Sequence, residues 1–236
     1  MKTSLLSLTA LLLFSFANAQ TADEIVSKHV DAIGGADKLS QVKSIYTESS
    51  TEVMGNQSES KTTILSGKGF RDEVSFNGQQ IVRVATDKGG WNINPFAGGD
   101  APEPMSADEY KSTEDAIYID PLYDYAAHGA KVELMGQEQV DSVNAYKLKY
   151  TNKDSGEVTY YIDPATWFII ESVRKGSMQG QEVAITTSYS NFKKMDFGIY
   201  VPYIHKVDMG QFALSIANTS VDINKDVDPA IFEMPK

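Results

Sequence analysis

The segment Gly67–Phe96, GKGFRDEVSFNGQQIVRVATDKGGWNINPF, constrains the fold more than any other part of this chain. Asn77-Gly78 suits a type I′ turn, which needs positive φ at both central residues. Asp87-Lys88-Gly89-Gly90 closes a second hairpin. Between the turns, Ile81, Arg83 and Ala85 alternate with Val82, Val84 and Thr86, so the two sheet faces differ by a single register step. Three antiparallel strands follow, carrying Phe70-Arg71, Trp91 and the exit Pro95-Phe96.

The flanks of this stretch fit a mainly β (α+β) fold. Thr21-Ala22-Asp23-Glu24 has the form of a capping box. Behind it Ile25, Val26, His29, Val30 and Ile33 share one helical face, and Gly34-Gly35 stops the helix. A short turn at 36–42 packs Leu39 and Val42. From Ser44 the period changes: 45–53 and 58–66 read as strands around Met54-Gly55-Asn56, with Ser, Thr, Glu and Lys on one solvated face. The Gly/Pro-rich run 97–104 reads as a crossing loop. Ser106 with Glu109 predicts a capped helix ending near Tyr118. Pro121, at a first helical position, predicts another that carries Leu122, Tyr123, Tyr125 and Ala126 and stops at Gly129.

The second half reads as strands at 131–135, 145–152, 157–163, 167–175, 181–192, 199–209 and 212–223, separated by turn signals. Regular spacing of this kind implies consecutive hairpins in one meander. About eleven strands make a sheet that curls rather than staying flat. The expected architecture is a large antiparallel curved sheet, an open half-barrel. The N-terminal helix and the helices inserted at about 97–129 would cover its concave apolar face. No linker divides the chain, so 20–236 is expected to be a single domain.

Met1-Lys2, the apolar run 5–16 and the small-x-small site Ala17-Asn18-Ala19 read as a signal peptide over 1–19, with Gln20 as the expected mature start. That apolar run is too short for a transmembrane helix. The sequence has no cysteine, which removes disulfides and the lipobox residue of a lipoprotein. The mature chain is therefore expected to be exported and unanchored, periplasmic if the source is a diderm bacterium, with stability supplied by a packed core. A formal charge of −11 argues against nucleic acid and against adhesion to anionic membranes.

Catalytic motifs are sparse. His29, His128 and His205 stand in no metal-ligand spacing, and neither a G-x-S-x-G elbow nor a thiol nucleophile is present. No enzyme activity, metal or cofactor is expected, and a hydrolase is the least favoured reading. Aromatics are plentiful instead: ten Phe, twelve Tyr and two Trp. For Trp91 and Trp167 ordinary core packing competes with any functional reading. In the functional reading Phe70, Trp91, Phe96, Tyr118, Leu122 and Tyr125 line an apolar, ligand-binding mouth beneath the inserted helices. Arg71 is either a solvated arginine or points across the mouth and hydrogen-bonds the insertion.

Four segments together carry a resemblance: ADEIVSKHVDAIGGADKLSQVKSI, GFRDEVSFNGQQIVRVATDKGGWNINPF, VNAYKLKYTNKDSGEVTYYIDPATWFIIES and VDINKDVDPAIFEMP. In this order they resemble LolA-like outer-membrane lipoprotein-sorting proteins, more specifically the Bacteroidetes version. The resemblance implies an open barrel with a helical lid over a hydrophobic cavity. It implies a periplasmic carrier or chaperone that shields lipid or lipoprotein acyl chains. It also implies an early-strand arginine that gates the lid, here Arg71. The alternative is a sensor or adaptor of the same fold that binds an envelope protein partner through Tyr118, Tyr123 and Tyr125. A monomer is expected in either case.

Overall fold

Two meanders meet at one seam. β1 (Ser44–Val53), β2 (Asn56–Leu65), β3 (Gly69–Phe76), β4 (Gln79–Thr86), β5 (Gly89–Asn94) and β6 (Gly99–Pro104) form the first. β7 (Lys131–Val140), β8 (Val143–Thr151), β9 (Glu157–Ile162), β10 (Ile169–Met178), β11 (Gln181–Lys194), β12 (Tyr200–Asp208) and β13 (Ala213–Ile223) form the second. Pairing of β1 with β13 fuses them into one antiparallel sheet of 13 strands whose edges are β6 and β7. The computed structural model describes residues 20–53, 56–97, 99–178, 181–210 and 212–235. The expected signal peptide over 1–19, the expected turn at Met54-Gly55, and parts of the turns at 176–180 and 210–211 lie outside these residues.

The hairpin at Asn77-Gly78 forms as expected, with φ of 50° and 76°. The run 97–104, expected as a loop, contains β6 instead, paired to β5. An edge position makes this possible: Pro102 and Pro104 donate no amide hydrogen, and on an outermost strand a missing donor breaks no ladder. β7 continues past Met135 to Val140 because a register shift between Leu134 and Gln137 absorbs Gly136 at φ 99°. Trp167 falls outside β10, in a turn at φ 63°.

Helix α1 (Ala22–Ile33) carries the expected capping box, with Thr21 Oγ1 accepting from the Glu24 amide at 3.2 Å and the Glu24 carboxylate accepting from the Thr21 amide at 3.2 Å. Its buried stripe is Ile25, Val26, His29, Val30 and Ile33. Gly34 is required at its end: φ is 140°, and a Cβ there would stand 2.9 Å from Ile199 Cγ2. The short helix α2 (Ala36–Leu39) follows. Together they cover one end of the sheet's inner face, in a core with Ile45, Leu148, Tyr150, Tyr160, Ile162 and Val221.

The insertion is less helical than its sequence suggests. Helix α3 (Ala107–Lys111) has its Ser106–Glu109 capping box but ends after five residues. The Ser112 and Thr113 hydroxyls both donate back to the Glu109 carbonyl at 2.8 Å, a bond that competes with helix continuation. A 3₁₀ turn, Glu114–Ile117, follows. Beyond Pro121 no helix forms. Asp120 Oδ1 accepts from the Leu122 and Tyr123 amides at 2.9 Å each, Asp124 adopts φ 54°, and three-residue turns continue to Gly129.

Candidate functional site

Because β6 and β7 are the two edges of the sheet, the segment 105–130 that joins them must cross from one wall of the half-barrel to the other. On the first wall Tyr110 Oη donates to the Thr86 carbonyl at 2.8 Å, the Gly67 amide donates to the Ile117 carbonyl at 2.9 Å, and Ile117 packs on Phe70 and Ala85. On the second wall Asn152 Nδ2 donates to the Lys111 carbonyl and to Asp115 Oδ2, both at 3.0 Å. The insertion is thus a strap across the mouth.

The strap is also tied to α1. His29 is 2 % exposed; its Nδ1 lies 2.8 Å from the Trp167 carbonyl and its Nε2 3.1 Å from Asp120 Oδ2. Both ring nitrogens face acceptors, an arrangement that favours the doubly protonated imidazolium against the Asp120 carboxylate. Burial opposes that charge. The Asp120 carboxylate and the Trp167 carbonyl overcome it and raise the histidine above its ordinary 6.5. Burial likewise opposes the Asp120 charge, and His29 with the two amides overcomes it and holds the carboxyl below 3.8. The Tyr125 hydroxyl donates to Asp23 on the first turn of α1. Between α1 and the strap runs an open groove of about 500 Å³, lined by Val26, Val30, Leu122, Tyr123, Tyr125 and Ala126 among others.

Beneath the strap lies a polar cluster that no motif announces. Glu114 is 2 % exposed, and burial, with Asp154 beside it, raises its pKa to about 7. Lys153 Nζ stands 3.3 Å from its Oε2. Among the described residues neither Glu114 oxygen has a hydrogen-bond partner, nor has His128 Nδ1 or the Tyr150 hydroxyl. Tyr118 stacks on His128 with ring centroids 3.7 Å apart.

The residues singled out in the sequence divide between two faces. Phe70 is buried on the inner face against Ala85 and Ile117, with Tyr118 packed on the same cluster. Leu122 is fully buried in the α1 core, and Tyr125 lies at the strap seam. Arg71 follows Phe70 in β3 and therefore points to the opposite face. It does not reach the insertion. Its Nη1 donates to the Ile231 carbonyl at 2.8 Å and its Nη2 to Glu73 Oε1 at 2.7 Å, and its guanidinium lies 5.5 Å from the centre of the Trp91 ring. Trp91 is on the same outer face, packed with Val82, Val84 and Phe232, and its Nε1 donates to the Phe232 carbonyl at 2.9 Å. A Cβ at Gly69 would stand 2.7 Å from the Phe232 ring, so glycine there lets the C-terminal 3₁₀ turn Pro229–Phe232 lie flat on the sheet. Phe96 is 55 % exposed, with its ring 5.9 Å from that of Phe76.

Following the register strand by strand, the inner face has three zones. Under α1 it is apolar and buried. A polar waist comes next: Thr47, Ser49, Thr62, Asp72 and Arg83 lead across the β1–β13 seam to Asn218, His205, Tyr189, Ser172 and Arg174. Beyond the waist stand Val74, Ile81, Ile185, Val207 and Leu214, all half-buried and none part of the three buried clusters.

No protein-family model matches the chain, and no curated protein matches it. Solved structures do. A DUF1329 family protein from Desulfovibrio piger superposes with a TM-score of 0.58 at 16 % identity, over 91 % of this chain and 98 % of that one. A LolA superfamily protein from Nitrosomonas europaea gives 0.59 at 13 % identity, over 91 % and 98 %. The fold is LolA-like. A putative outer membrane lipoprotein-sorting protein domain from Vibrio parahaemolyticus matches similarly, with a TM-score of 0.57 at 10 % identity over 89 % and 94 %. At such identities the LolA-like resemblance is one of architecture, and it leaves the chemistry of the inner face to be read from this chain's own residues.

Proposed function

We propose that this protein is a non-enzymatic periplasmic carrier, a chaperone for lipid or lipoprotein acyl chains, which it holds against the inner face of its half-barrel. The observation that carries this reading is the far zone of that face. Val74, Ile81, Ile185, Val207 and Leu214 present apolar surface that no helix of the buried clusters covers. Each methylene laid on such a surface contributes about 0.8 kcal/mol, so one acyl chain supplies ample affinity without an enclosed pocket.

The strap between β6 and β7 serves as the lid. Ile117 and Leu122 anchor it by buried packing, and between these anchors, apart from the His29–Asp120 pair, its polar ties are single hydrogen bonds worth about 1 kcal/mol each, so local opening of the strap competes with retention of a ligand. The order of the four resembling segments supports the finer Bacteroidetes-type assignment.

The test is native mass spectrometry of the mature protein purified from its own cell envelope, followed by Leu214→Asp. A co-purifying acylated species, lost in the variant, is the expected result. Protein that emerges lipid-free and takes up no dodecyl amphiphile in vitro overturns the reading.

A further inference from the structure

The waist of the inner face carries two arginines from opposite walls. Arg83 on β4 and Arg174 on β10 are seven strand steps apart in the sheet order, about 34 Å along a flat sheet at roughly 4.8 Å per step. The register places both side chains on the inner, concave face of the curved sheet. Burial lowers the pKa of the Arg174 guanidinium, and the charge of Arg83 lowers it further.

Their surroundings differ in one respect. Arg83 has a carboxylate partner, Asp72 Oδ2 at 3.2 Å, itself held by the Thr62 hydroxyl at 2.9 Å. Arg174 makes no ion pair among the described residues, and the ionisable groups that act on it are Arg83, Tyr189 and Tyr160, with no carboxylate among them. A half-buried guanidinium without an anion is costly to desolvate. Here it stands in a chain of net charge −11 that has acids to spare elsewhere. Beside it, the Tyr189 hydroxyl is held 2.9 Å from Ser172 Oγ, with the His205 ring edge-on at 5.4 Å. On one side of this waist lies the filled α1 core, and on the other the half-buried strip of Ile185, Val207 and Leu214.

We propose that the waist binds the anionic head of a single-chain amphiphile, a carboxylate or a phosphate, between Arg174 and Arg83, with the tail along Ile185, Val207 and Leu214. The guanidinium of Arg174 supplies a planar fork of donors suited to either oxyanion. The uncovered strip begins next to it, since Ile185 pairs directly with Arg174 across β10 and β11. The tail position rests on the carrier reading, whereas the head position rests on the arginines alone.

Isothermal titration calorimetry of the mature chain with dodecanoate, dodecanol, dodecyl phosphate and inorganic phosphate tests both parts. The expected result is dodecanoate and dodecyl phosphate bound at least about tenfold more tightly than dodecanol, as a charge-assisted hydrogen bond provides. Arg174→Gln should abolish that preference and leave dodecanol affinity unchanged, and Arg174→Lys should keep part of it. Equal binding of dodecanoate and dodecanol by the wild type, or an undiminished preference in Arg174→Gln, overturns the head site and leaves the carrier standing. Binding of inorganic phosphate that depends on Arg174, with neither dodecyl chain adding affinity, supports the head site and overturns the carrier. No binding of any probe overturns both. Should Arg174→Gln fail to fold, the wild-type preference itself decides: it must shrink as salt is raised, and a salt-independent ratio overturns the proposal.

Discussion

The two ends of the inner face are built from the same residue types and do different things with them. Under α1, Ile25, Leu122, Leu148, Tyr150 and Ile162 are fully buried. At the other end Ile185, Val207 and Leu214 alternate just as regularly along their strands yet remain half-buried. Strand patterning is thus equal at both ends, and the difference is whether a helix lies on top. One end is closed by the chain's own helices, while the other presents half-buried apolar side chains that belong to none of the buried clusters. The polar waist separates them, so that a change at one end need not propagate to the other.

The largest expected effect breaks the covered end at its buried His29–Asp120 pair. His29→Gln removes the imidazolium and leaves Asp120 buried beside a neutral group, a loss of about 3–5 kcal/mol for breaking a buried pair. Urea unfolding followed by circular dichroism would measure it. The gap between wild type and variant should depend on pH in a defined direction. The raised histidine contributes fully below its ordinary value of 6.5, and its contribution is lost as pH rises through the higher folded value. The lowered aspartate contributes above its ordinary 3.8, and that part is lost as pH falls through the lower folded value. The gap should therefore be widest between 3.8 and 6.5 and shrink at alkaline pH. A gap that grows above neutrality would mean that the ring is neutral in the folded protein.

A matched pair of truncations sharpens the comparison directly. Leu148→Ala, at a fully buried position, should cost about 2–5 kcal/mol through lost burial and the cavity left behind. Leu214→Ala removes the same atoms from the uncovered strip and should stay within about 0.5–1 kcal/mol of wild type. Dodecanoate affinity should move the opposite way, falling in Leu214→Ala and holding in Leu148→Ala under conditions where the latter is folded. Equal stability losses would show that the far strip is core after all.

These contrasts explain which parts of the molecule were legible in its sequence. The hairpin at Asn77-Gly78 and helix α1 were, because a type I′ turn and a capped amphipathic stripe each leave a local signature. The strap was legible as an insertion but not in its conformation. Ser112, Thr113 and Asp120 use their side chains to satisfy the backbone in non-helical ways, and composition alone does not separate a helix N-terminus from such turns. β6 hid behind its prolines, since tolerance for them depends on being the edge strand, a fact of topology. Arg71 and Trp91 were visible as a pair near a hairpin, but which face they occupy depends on register, and their cover comes from Ile231 and Phe232 at the far end of the chain. Arg174 carried no local signal at all. Its interest comes from having no ion-pair partner among the described residues while Arg83, on the same face, is paired with Asp72, a contrast that only the assembled strands reveal.

The outer face gives an intermediate test. Arg71 is held by the Ile231 carbonyl and by Glu73, with its side chain 20 % exposed. Arg71→Leu should cost about 1.5–3 kcal/mol, the range for a hydrogen bond to a charged group. The loss should be local: hydrogen exchange should quicken at the amides of Ile231 and Glu233 in the C-terminal turn, while amides of α1 keep their protection. Dodecanoate affinity should not change, because the turn lies on the face opposite the waist. Loss of protection in α1 would mean that the two faces are coupled through β3.

Thr21→Ala makes the smallest change and isolates the cover from the sheet beneath it. The threonine hydroxyl accepts from the Glu24 amide, and the returning Glu24 bond to the Thr21 amide uses the backbone, which alanine retains. Only half of the capping box is therefore removed, and the expected loss is about 1 kcal/mol. Chemical denaturation resolves a difference of that size when wild type and variant are measured in parallel. Because α1 carries both Asp23, the acceptor of Tyr125, and His29, the partner of Asp120, fraying of its first turn loosens the Tyr125 contact before it reaches the ion pair, six residues further along the helix. Exchange at His128 and Ala130, whose amides are held by the Tyr125 carbonyl, should quicken more than exchange at Leu122, whose amide is held by Asp120. If the two respond equally, the strap moves as one body with α1, and the covered end opens as a single lid.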